Sequence, residues 1–193
     1  MNLERTTDAT VEPWTTAEAK THLRVTTSDH DTYIAALVKA ARQHVETYTG
    51  RAMMEQTWKM RLDRAWPDSI VLPHPPLLTV ASIAYVDLDG ATQTLAADQY
   101  QVDAARHLPV ITPAYGVTWP DLRDQLSAVT ITYTAGYHAS DTSKIPAALR
   151  HAMLLLVGNW FMNREAVVIG TISSDLPHGV EALLFPFRIF YEV

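Results

Sequence analysis

Residues 131–164 read "ITYTAGYHASDTSKIPAALRHAMLLLVGNWFMNR". A strand-like run ends at Ala135-Gly136-Tyr137, a polar loop follows, and Ile145-Pro146 opens a long helix. Pro146 suits a first helical position, where its missing N–H would have no partner in any case. Leu149, Ala152, Met153, Leu156 and Trp160 form one stripe, while Leu154, Leu155, Val157, Phe161 and Met162 cover the remaining faces. A helix that is apolar all round is expected to be buried all round. Arg150 and His151 interrupt it near the centre, and the fold must use them for chemistry or for contact.

On the N-terminal side of this stretch the pattern has a period of two. Trp58, Met60 and Leu62 alternate with Lys59, Arg61 and Asp63. Short apolar runs follow at Ile70 to Leu72, Val80 to Val86, Tyr100 to Val102, Val110-Ile111 and Val129 to Tyr133, separated by Asp89-Gly90, proline-rich pieces and polar turns. Short strands at this spacing predict an antiparallel sandwich or barrel-like region. Pro73-His74-Pro75-Pro76 offers few donors to a ladder and is expected at an edge or in a crossover.

Further out, the helical period returns. Thr15-Thr16-Ala17-Glu18 has the spacing of a capping box and starts a short helix to about Arg24. Ser28-Asp29-His30-Asp31 starts a second helix, with acids where its dipole favours them. Ile34, Leu37, Val38, Ala41, Val45 and Tyr48 fall on one face, Lys39, Arg42, Gln43 and Glu46 on the other, and Gly50 is the expected stop. Residues 166–174 read as a flexible loop, and a short helix is expected through Leu184. Phe185, Phe187, Ile189, Tyr191 and Val193 then alternate with other residues, which predicts an extended tail with one apolar face. The expected class is α+β. A helical bundle, made of an N-terminal helical hairpin (1–55) and C-terminal helices and tail (138–193), carries an inserted antiparallel β-region (56–137).

Composition narrows the function. The 193 residues are 48% hydrophobic and 19% charged, ordinary values for a globular chain with a real core. Cysteine is absent, which rules out disulfides and thiolate zinc sites. The longest strictly apolar run, Ala152 to Val157, is too short to span a bilayer. Met1 to Arg5 has no apolar core, so no signal peptide is expected. Net charge is −6 and the cationic residues are scattered singly, so no basic stripe for nucleic acid forms.

The search for chemistry finds little. No glycine-rich phosphate loop, nucleophile elbow or paired-histidine metal motif occurs. His30 between Asp29 and Asp31 reads as a charged helix start rather than a metal site. His151 reads as a hydrogen-bonded interior group, since no local carboxylate orients it as a base. Asp87 and Asp89 belong to a hairpin turn. Trp66, Trp119 and Tyr115 are read as packing aromatics. No catalytic residue, cofactor or metal is expected.

The order of elements carries a resemblance. "PWTTAEAKTHLRV" (13–25), "DHDTYIAALVKAARQHVETYTGRAMMEQTW" (29–58), "ITYTAGY" (131–137), "IPAALRHAMLLLVGNWFMNRE" (145–165) and "LPHGVEALLFPFR" (176–188) together resemble the head–tail connector (adaptor) proteins of long-tailed bacteriophages and gene transfer agents. The likeness covers roughly residues 12–188. Where the family often ends near "PYR", this chain has Pro186-Phe187-Arg188 and continues to Val193. The resemblance implies a structural virion protein without catalytic activity. It implies a homo-oligomeric ring of about twelve copies beneath the portal protein, docking a head-completion (stopper) or tail protein, with DNA passing through unbound and no membrane involved. Leu154, Leu155, Phe161, Phe185, Phe187, Ile189 and Tyr191 are then the candidate subunit or portal contacts. The competing reading is a β-sandwich module that binds carbohydrate or peptide through Trp66, Trp119 and Tyr115. A third is a hydrolase built on His151 or His138.

Overall fold

The Thr15 hydroxyl accepts from the Glu18 N–H at 3.2 Å, and Glu18 Oε2 accepts from the Thr15 N–H at 2.8 Å. This reciprocal box starts α1 (Thr16–Leu23) where the spacing predicts. The structure, a computed structural model, describes residues 2–164 and 178–190. The chain divides into two units: residues 11–53 with 140–193, and residues 1–10 with 54–139.

The first unit is helical. Helix α2 (Asp31–Thr49) buries Ile34, Val38, Ala41 and Val45, and Gly50 closes it in the left-handed conformation at φ 72°. It packs with α3 (Ala147–Met162), which in turn packs with α4 (His178–Leu184). Two assignments of faces change. Arg42 and Glu46, expected on the polar side of α2, are both buried. Arg42 is enclosed because each of its three nitrogens finds a carboxylate. Nε and Nη2 reach Glu12 at 2.7 and 3.2 Å, and Nη1 reaches Glu46 at 2.9 Å.

Nor is α3 enclosed on all sides. Leu149, Ala152, Met153, Leu154, Leu156 and Val157 are buried, but His151 is exposed and Met162 is 77% exposed. The helix's middle turns are covered and its C-terminal end opens to solvent.

The second unit is built on two antiparallel sheets. Strands β1 (Asn2–Thr7), β2 (Gln56–Leu62), β4 (Leu77–Val86), β5 (Thr92–Thr94) and β8 (Val129–Ala135) form a five-stranded sheet in the order β1-β2-β8-β4-β5. Strands β3 (Ile70–Val71), β6 (Tyr100–Asp103) and β7 (Val110–Pro113) form the second, in the order β3-β7-β6. Neither closes into a barrel. The inward face of β8 sets the core: Val129, Ile131 and Tyr133 are fully buried, with Ile131 in register between Met60 and Ile83. Pro73 to Pro76 is the crossover from β3 to β4, and the Pro73 carbonyl accepts from the Tyr133 hydroxyl at 3.0 Å.

Residues 2–7, expected in the helical part, instead form the edge strand β1 against β2. Leu3 is the only apolar residue in Asn2–Thr7, so no period marks the strand. Backbone pairing holds it, helped by Arg61–Glu4 at 2.8 Å and by Thr6 donating to the Thr57 carbonyl. The expected extended tail also differs: Phe185–Phe187 is a 3-10 turn, and Ile189 donates its N–H to the Thr49 carbonyl at 2.8 Å. The loop expected at residues 166–174, and Tyr191 and Val193, lie outside the described residues.

Candidate assembly surfaces

The central pair of α3 resolves into one contact residue and one surface residue. The Arg150 guanidinium lies over the Trp14 ring at 3.8 Å, and Trp14 Nε1 donates to the Arg150 carbonyl at 2.9 Å. A half-buried arginine over an indole contributes about 0.5–2 kcal/mol. Trp14 was not marked by sequence reasoning; its place just before the Thr15 cap, where an apolar residue fixes the entry angle of the chain, is the signal that identifies it. His151, read as an interior group, sits instead on the exposed face of α3.

Two aromatic clusters lie at the surface of the helical unit. At the start of α2 and the end of α3, Phe161 meets His30 edge-on at 5.6 Å and Tyr33 at 6.2 Å, with Arg164 over Tyr33 at 5.1 Å. Met162, the next residue of α3, is exposed. At the other end of α2, Phe185 and Phe190 pack edge to face at 6.2 Å while 56% and 62% exposed. Arg188 lies over both Tyr48 and Phe190, and Arg51 Nε donates to the Phe187 carbonyl at 2.7 Å. The exposed phenylalanines are therefore held by a backbone that is itself tied to α2.

The candidate contacts thus separate by accessibility. Phe185 is exposed, Leu155, Phe161 and Phe187 are half-buried, and Leu154 and Ile189 are buried within the chain. Tyr191 lies outside the described residues.

The β unit places the other singled-out aromatics. Trp66 and Trp119 stack on each other at 4.6 Å and 12°, and each indole N–H donates to a carbonyl beside the other ring: Trp66 to Pro120 at 2.9 Å, Trp119 to Pro67 at 3.0 Å. Each ring spends a face on its partner, so the pair is a clasp between two loops rather than an open sugar-binding platform. Tyr115 stands fully exposed on a separate turn.

Among the described residues no three histidine, aspartate or glutamate side chains come together to hold a metal. Two hollows have mixed linings, one of about 270 Å³ between Gln101, Val102, Asp103, Arg106, Val110 and Thr112, another of about 400 Å³ between Thr16, Ala17, Lys20, Val25 and Asp31. His44 is half-buried against Trp160 at 5.9 Å; burial lowers its pKa, and its buried Nε2 has no hydrogen-bond partner. Among the described residues no helix is long and apolar enough to cross a membrane.

Comparison with known proteins places the whole arrangement. A family model described as "Head completion protein" matches residues 14–189. No curated protein matches the chain. Among solved structures the chain is similar to one in the neck of an empty gene transfer agent particle computed with C6 symmetry, at 25% identity and TM-score 0.81. It is similar to one in the virion of a native gene transfer agent particle, at 26% identity and TM-score 0.80. It is also similar to one in the neck of a native particle computed with C12 symmetry, at 26% identity and TM-score 0.70. Each alignment covers 100% of this chain and 98% of the other.

Proposed function

Because this chain belongs to the head completion protein family, we propose that it is a structural virion protein, a head–tail connector at the head–tail interface that joins the portal to the next neck or tail component. The observation that carries the reading is the likeness of this chain, over its full length, to proteins in the neck of gene transfer agent particles. Such a protein acts by contact and performs no catalytic step.

We infer a closed ring of about twelve copies, built by heterologous contacts that repeat around one axis. The two aromatic clusters of the helical unit support this. They lie at opposite ends of α2, which at 1.5 Å per residue separates Tyr33 from Tyr48 by about 22 Å. One chain therefore offers two different apolar anchors, as a connector between different neighbours requires. Phe161 belongs to one end of this surface, and Phe185 and Phe187 to the other. Leu154 and Ile189 act from behind, holding the exposed residues in place. The net charge of −6 fits a channel that lets DNA slide without gripping its phosphates.

Electron microscopy of the purified chain mixed with its cognate portal tests the reading. A ring seated on the portal is expected. In a parallel pull-down, Phe185→Ser/Phe190→Ser keeps its melting temperature and loses portal binding. A wild-type chain that stays monomeric alone and with portal removes the proposal.

A further inference from the structure

Three connections of the β unit meet as one bonded cluster: residues 63–69 between β2 and β3, 87–91 between β4 and β5, and 114–128 between β7 and β8. The Trp66–Trp119 clasp joins the first to the third. Arg64 donates its N–H to the Gln125 carbonyl at 3.0 Å, and Asp63 Oδ1 accepts from the Ser127 N–H at 2.7 Å. Arg123 donates its N–H to the Val86 carbonyl at 3.1 Å and lays its guanidinium on Gly90, so close that a Cβ there would meet Nη1. These loops are ordered on folding, so little ordering cost remains for a binding event.

The cluster nonetheless displays three large apolar side chains to water. Leu88 is 66% exposed, Leu126 68%, and Tyr115 fully exposed on the turn closed by Val117 N–H to the Ala114 carbonyl. Rigid loops with exposed apolar tips mark interaction sites. The rim is acidic: Asp63, Asp68, Asp87, Asp89, Asp121 and Asp124 stand against Arg64 and Arg123, six minus two giving four net negative charges.

We propose that this loop end is a second docking surface, for a protein partner whose apolar hollow is rimmed by lysine or arginine. The inference rests on the connector reading, since it assigns one more neighbour to the same assembly. Charge complementarity chooses the class of partner. Four net negative charges repel duplex DNA, while a basic rim would gain steering and register from them. Leu88, Tyr115 and Leu126 supply the apolar contacts that such an interface needs.

Two sets of exposed substitutions test it on the full-length chain: Leu88→Ser/Tyr115→Ser/Leu126→Ser, and Asp89→Lys/Asp121→Lys/Asp124→Lys. Melting curves check that both sets keep the fold. Affinity is measured against the purified cognate portal ring and against the purified neck protein on its tail side, at low and high salt. For one of these partners, the serine set is expected to weaken binding at least tenfold. The lysine set is expected to weaken it and to abolish the loss of affinity that added salt causes in the wild type. Wild-type affinity of the serine set, or of the lysine set, for both partners overturns this inference alone. A wild-type chain that binds neither partner overturns it together with the connector reading.

Discussion

Replacing Arg42 by methionine exposes what the interior of the helical unit depends on. Arg42 is fully enclosed and makes three charge-assisted bonds to two carboxylates. Each such bond contributes about 1.5–3 kcal/mol, but they do not add. Glu12 is 28% exposed and rehydrates when the guanidinium leaves. Glu46 is 8% exposed, and its Oε1 is already committed to the Met53 N–H at 3.0 Å, so it cannot turn out to water without breaking that bond. The cost therefore falls more on Glu46 than on Glu12, at about 3–5 kcal/mol for breaking a buried ion pair from one side. At about 2–4 °C per kcal/mol for a chain of this size, R42M should melt about 6–20 °C lower. Glu12→Gln, at the wetter end, should cost about 1 kcal/mol. The double variant R42M/E46Q removes the buried charge and keeps an oxygen for Met53, so it should recover at least about 1 kcal/mol. Thermal melts and denaturant melts of the four proteins decide the matter. An R42M that unfolds within about 2 °C of the wild type, or a double variant no more stable than R42M, refutes the argument.

Other outcomes follow from the same structure. Thr15→Ala should cost about 1 kcal/mol by opening the α1 capping box. The Glu18 carboxyl is held below its ordinary 4.5 first by its bond from the Thr15 backbone, so the stability it adds is present above that value and fades as pH falls below it; the T15A penalty, read in urea melts, should shrink with it. Burial lowers the His44 pKa from 6.5, so the folded state resists its protonation and stability should fall as pH drops below 6.5. In His44→Phe that part of the slope should vanish from the wild-type-minus-variant curve; identical slopes would exclude the assignment. Gly136→Ala should be destabilised by about 3 kcal/mol or more, because Gly136 sits at φ 139° and an added Cβ would overlap the Met54 carbonyl; a soluble variant melting like wild type would contradict it.

The elements legible in the sequence are those where local chemistry and tertiary need agree. The capping box of α1, the buried stripe of α2 with Gly50, and the alternation along β2 and β8 each carry their own period, and the structure keeps them. The connector reading came from the order of such elements, and the family match spans the same region. Strand β5 is Thr-Gln-Thr and β1 has a single apolar residue. Both are edge strands held by backbone bonds to a neighbour that lies far away in sequence or across a turn, and backbone bonds leave no hydrophobic signature.

Arg42 shows the same limit from the opposite side. A helical wheel assigns it to water because it is charged, and no wheel contains Glu12, thirty residues away. The tail shows how a true period can mislead. Phe185, Phe187 and Ile189 do alternate, but Pro186 fixes a backbone angle compatible with a tight turn, and the 3-10 turn at Phe185–Phe187 delivers Ile189 to the C-terminus of α2. The turn leaves Phe185 and Phe190 packed against each other in the open, while Ile189 between them in the chain is buried. A period-two strand would have put Phe185 and Ile189 on one face, and folding back puts them in opposite environments. The same change makes the tail's anchoring residue and its displayed residues different side chains, so in the proposed docking role the displayed pair can meet a neighbour without loosening the fold that holds it.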